Sequence, residues 1–172
     1  MSRNSDDYEK EAREWLMRGD PDTALRVFRD GLSQFPGNIE LLLGCGMAHI
    51  ALGNFVQAVE ILEPLRSKHP KWGDVLQGLA EAYFKMGRKK NALGAIEHAT
   101  GEHETDPVFI NSLAIMLFEQ GFFKEAAACH MRAFKRDYRY APAYMGIGVC
   151  KHKMGDIPGA VHALRGPGAN QN

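Results

Sequence analysis

Residues 39–72 read IELLLGCGMAHIALGNFVQAVEILEPLRSKHPKW. Leu42, Cys45, Gly46 and His49 recur at helical intervals, and so do Phe55, Ala58, Val59, Leu62 and Leu65. Steps of three and four place side chains on one face of a helix rather than alternating across a strand. Gly53 and Asn54 separate the two runs. The glycine can enter the left-handed backbone region that ends a helix, and the asparagine is a candidate cap for the next one. Pro70 stops the second run, because the residue before a proline is pushed out of the helical region. The segment predicts two helices joined by a tight turn.

The same arrangement returns along the whole chain. Gly19, Gly53, Gly87, Gly121 and Gly155 are spaced by 34 residues, and Ala24, Ala58, Ala92, Ala126 and Ala160 repeat that step. A constant period of this length predicts an all-α solenoid, in which each unit packs on its neighbours. The units are 5–38, 39–72, 73–106, 107–140 and a shortened 141–165 within a single domain spanning 1–172, and 166–172 reads as a Gly-, Pro- and Asn-rich tail. Asp20, Asn54 and Asp156 follow the turn glycine as caps, Pro21 and Pro158 suit a first helical turn, and Pro36 stops a second helix as Pro70 does. Small residues at Ala12, Gly46, Ala80, Ala114 and Gly148 let paired helices approach closely, beside large Phe28, Leu62, Ile96 and Leu164.

The 34-residue helix–turn–helix with its small–large signature resembles the tetratricopeptide repeat, over nearly the whole chain. Departures are His130 in the slot of Phe28, Glu104 and Tyr138 in the proline slot, and Gly31 and Leu65 in a late small slot. The resemblance implies a right-handed superhelix whose first helices line a concave groove that binds peptides. At the corresponding positions this chain carries Leu43, Gly44, Met47, Gln77, Gly78, Glu81, Phe84, Asn111, Ser112, Ile115 and Met145. The resemblance also offers a carboxylate clamp, which needs several cations to hold a terminal carboxylate. No three consecutive units here supply two of them at the clamp positions, so that mode is not expected.

The groove residues carry alternatives. Gly44, Gly78 and Gly146 either clear a floor for a ligand or permit close helix packing. Leu43 and Met47 either flank the ligand or belong to the core. Gln77, Glu81, Asn111 and Ser112 either bond a peptide backbone or form a solvated strip.

Lys+Arg and Asp+Glu both number 21, so charge draws the chain toward neither nucleic acid nor membrane. The halves differ mildly: residues 1–106 hold 13 basic and 17 acidic side chains, residues 107–172 hold 8 and 4. Arg132, Lys135, Arg136 and Arg139 read as a solvated basic face. Cys45, Cys129 and Cys150 lack disulfide or metal-site spacing and fit a reducing compartment, with cytoplasm as the expected location. No metal, cofactor or catalytic motif is expected, and Glu102, His103, Glu104 and Asp106 read as a solvated turn.

The expected function is a non-enzymatic scaffold or chaperone-like adaptor binding a protein segment or helix, of which a small secretion chaperone is one narrower form. Alternatives are an assembly protein that self-associates through Ile157, Val161 and Leu164, or an accessory domain of a larger enzyme such as a transferase.

Overall fold

A computed structural model describes residues 3–101 and 104–166. Among these the regular structure is entirely helical: α1 (Ser5–Met17), α2 (Pro21–Gln34), α3 (Ile39–Ala51), α4 (Phe55–Lys68), α5 (Gly73–Lys85), α6 (Lys89–Ala99), α7 (Pro107–Glu119), α8 (Phe123–Arg136), α9 (Ala141–Lys153) and α10 (Ile157–Leu164). They form five pairs in the sequence register, a solenoid of tetratricopeptide type. The tail at 167–172, with Glu102 and His103, lies outside the described residues.

The turn glycines do what their spacing required. Gly19, Gly53, Gly87, Gly121 and Gly155 have φ of 77°, 76°, 72°, 81° and 82°, where a Cβ would be strained. Asp20 accepts from the Thr23 amide at 3.0 Å and Asp156 from the Gly159 amide at 2.9 Å. Asn54 corrects its expectation: its side chain makes no cap bond. Phe35 and His69, each before a proline, sit at φ −125° and −128° with ψ 69° and 70°, which ends α2 and α4.

The chain forms two compact units, Met1–Ile96 and Glu97–Asn172. In the first, α1 packs on α2, α2 on α3, α3 on α4 and α4 on α5, while α1 and α5 both also touch α3. The second repeats this with α7, α8, α9 and α10. On α2, α4, α8 and α10 a large side chain fills room left by glycines on first helices. Leu62, fully buried, lies where a Cβ on Gly46 would come 2.6 Å from its Cδ2, and one on Gly78 3.0 Å from its Cδ1. Phe28 fills the space beside Gly44, and Leu164 the space beside Gly148. The small positions are therefore sockets for the large ones, which lets helices pack at interior density without strain.

Cys45, Cys129 and Cys150 are free and buried, and burial raises each thiol to about 11. Cys129 Sγ donates to the Ile110 carbonyl at 3.4 Å. Among the described residues no helix is long and apolar enough to cross a membrane.

Candidate functional site

In the first unit, the residues expected to line a groove are mostly packing. Leu43 and Phe84 are buried. Gly44 is buried, and the Phe28 ring occupies the place of its absent side chain. Gly78 is buried too, with Leu62 Cδ1 and Met47 Sδ 3.0 and 3.1 Å from where its Cβ would sit. At both glycines the geometry is that of the close-packing alternative: the room exists, and the protein's own side chains fill it. Met47, Gln77 and Glu81 are half-buried.

In the second unit the outcome differs. Asn111, Ile115 and Met145 come together with Phe118, His130, Pro142, Gly146 and Val149 around a cavity of about 340 Å³ with an almost wholly apolar lining. That size falls at the lower end of small-ligand pockets, which span roughly 300–1,000 Å³. Three of its apolar walls are markedly open to solvent: Ile115 at 46%, Met145 at 53% and Val149 at 44%. They stand on α7 and α9, two first helices that touch directly, while α8 supplies His130 from behind. Ser112 does not join them, because its hydroxyl donates to the Phe109 carbonyl at 2.7 Å within its own helix.

His130 is the residue sequence reasoning passed over. It occupies the slot of Phe28 and Leu62, is 3% exposed, and lies against Gly146, whose missing Cβ makes room for the ring. Gly146 is therefore a socket like Gly44, except that its plug is a polar ring that also reaches the pocket. Asn111, itself buried, places Oδ1 2.8 Å from His130 Nδ1, which fixes Nδ1–H as donor. Burial lowers the imidazole to about 4, so the ring is neutral near pH 7. The fourth repeat is the one in which both slots are polar, against Leu43 and Leu62 in the second, but the repeat pattern does not say that the two side chains meet.

A second cavity, about 580 Å³, is lined by Thr100, Gly101, Arg132, Lys135 and Arg136. Arg132 donates to the Thr100 hydroxyl at 2.7 Å. Arg139 is not part of it and lies over the Tyr138 ring at 5.4 Å. Along α10, Ile157, Val161 and Leu164 form one exposed stripe.

A family model described as tetratricopeptide repeat matches residues 16–77. Human Superkiller complex protein 3 (Homo sapiens) is 31% identical over 108 residues, 61% of this chain and 7% of that protein. The BBSome complex member BBS4 of Bos taurus is 25% identical over 101 residues, 59% of this chain and 20% of that protein. The chain thus spans a small part of the curated relatives it matches. In structure it is similar to a thermophilic TPR protein of Thermus thermophilus, TTC0263, with a TM-score of 0.69, 17% identity, and coverage of 97% of this chain and 93% of that one. MamA from Desulfovibrio magneticus RS-1 gives a TM-score of 0.69 at 18% identity, covering 95% and 93%. At these identities the structural likeness concerns the fold alone.

Proposed function

We propose that this chain, an array of tetratricopeptide repeats, is a non-catalytic interaction module that holds a segment of another protein in the pocket between α7 and α9. The observation that carries this is the exposure of Ile115, Met145 and Val149 together around one apolar cavity. Apolar surface left open on a preformed scaffold is available to an apolar anchor, and a rigid site loses little entropy on binding. Methionine on the wall adapts to anchors of different shape. The three thiols, raised to about 11 by burial, are poor nucleophiles near neutral pH. Free buried thiols also support the cytoplasm as the place of action.

Peptides selected from a random displayed library against the whole chain are expected to share an apolar anchor. Substituting Ile115→Lys together with Met145→Lys changes two exposed positions and should preserve the fold. Losing an anchor's burial, about 1.5–3 kcal/mol, weakens binding roughly ten- to a hundredfold. Selected peptides that bind the double variant as tightly as the wild type would remove the pocket from the reading.

A second reading rests on α10. Ile157, Val161 and Leu164 are 51%, 48% and 51% exposed, whereas Phe28 and Leu62, in the slot of Leu164, are fully buried. A second copy packed on this stripe would bury it.

A further inference from the structure

His130 gives the apolar pocket one polar contact point. Its Nδ1 is engaged by Asn111 Oδ1 at 2.8 Å, so the proton resides there and the lone pair is on Nε2. Among the described residues Nε2 has no hydrogen-bond partner. Nor is it sealed in: His49 Nδ1 is the buried side-chain polar atom left without a partner, and His130 Nε2 is not in that state. The ring lines the cavity, and Nε2 is the unengaged polar atom it can offer there. All the other lining side chains except Asn111 are apolar, and Asn111 already spends its oxygen on the ring.

A buried ring presenting one acceptor at the base of apolar walls fits a side chain with an apolar body and one donor. Tyrosine and tryptophan have that form, and their O–H and N–H groups usually find a partner when buried. A lysine or arginine would bring a charge into an apolar, poorly solvated site. Aspartate and glutamate, ionised, would likewise bring an unpaired charge into the apolar site. We propose that the pocket takes a tyrosine or tryptophan side chain from a partner protein, whose O–H or N–H donates to His130 Nε2. This rests on the peptide-binding reading above and adds the chemical class of the anchor.

The test uses p-cresol and toluene, which differ by one hydroxyl, titrated into the whole chain and followed by NMR. The Ile115 and Met145 methyls report pocket occupancy, and the His130 ring nitrogens report the hydrogen bond. The expected result is binding of p-cresol tighter than toluene by ~5- to 10-fold, as one added hydrogen bond gives, with a shift at His130 Nε2 for p-cresol alone. The variant carrying His130→Leu and Asn111→Leu copies the Leu62 and Leu43 pair of the second repeat, and should bind the two probes equally. Equal binding of both probes to the wild type, with the methyls shifted, would overturn the donor inference and leave the pocket reading standing. Methyls unmoved by either probe would overturn both. The wild-type comparison stands even where the double variant fails to fold.

Discussion

At the residue scale the glycines divide into kinds that a sequence does not label. Gly44 is a socket: an added Cβ would collide with the fully buried Phe28 ring. Gly94, inside α6, has nothing within 4 Å of where its Cβ would be. Gly44→Ala is therefore expected to destabilise, because overpacking of about 1–3 kcal/mol exceeds the ~1 kcal/mol gained in helix propensity. Gly94→Ala should stabilise by about 0.5–1 kcal/mol. Urea unfolding of the two variants reads both signs. Gly78→Leu, which from sequence would simply fill a groove, instead forces a side chain into Leu62 and Met47. Titration belongs to this scale as well. Burial lowers His130, to about 4, and His49, against an ordinary value of 6.5. Between 6.5 and about 4 the unfolded chain takes up a proton at His130 that the folded chain refuses, and His49 acts in the same direction. The contribution of His130 to stability is therefore complete above about pH 6.5 and is lost as the pH falls from there through about 4. The Asp20 and Asp156 carboxyls are held below 3.8 by their backbone hydrogen bonds, so their loss comes at lower pH. Unfolding followed from pH 7.5 to 4.5 should show the decline, and the variant with both His130→Leu and Asn111→Leu should show less of it. A slope unchanged by that substitution would mean His130 does not set it.

At the element scale the helices were legible because several independent rules agree on their ends. The turn glycines, the Asp20 and Asp156 caps and the residues before Pro36 and Pro70 all end or start helices where the 34-residue register put them. Asn54 was not legible: cap preference states what a side chain can do, and here the rotamer it adopts leaves the amides alone. Asp156→Ala should thus destabilise α10, and Asn54→Ala should change α4 little. Amide exchange in α10, only 8 residues long, should accelerate markedly for Asp156→Ala. Equal exchange in wild type and variant would mean the cap bond adds nothing. The unequal fate of the first-helix positions also belongs here. Leu43 and Met145 occupy the same repeat position, yet Leu43 is 3% exposed and Met145 53%. A repeat number gives the direction a side chain points and not what its neighbours already cover.

At the scale of the whole molecule, the exposed α10 stripe bears on self-association. Continuing the stack head to tail would set Leu164 of one copy against the position that Gly44 and Gly78 hold internally, and in the first repeat that position is Lys10. A lysine cannot act as a socket, so pairing of α10 with α10 about a two-fold axis is the expected form. Sedimentation should then show a dimer that Val161→Lys dissociates, and a chain monomeric at high concentration would dismiss the second reading. The sequence by itself determined the all-α class, the paired helices, their turns and the 34-residue register. Those follow from local conformational preference and from periodic burial, which a linear pattern records. Only the tertiary structure decided which first-helix residues remain open, that Gly44, Gly78 and Gly146 are occupied by the protein's own side chains, and that His130 meets Asn111 beneath an apolar pocket. Those depend on how much of each slot a particular neighbouring side chain fills, and volume and contact across 19 residues of chain leave no periodic trace.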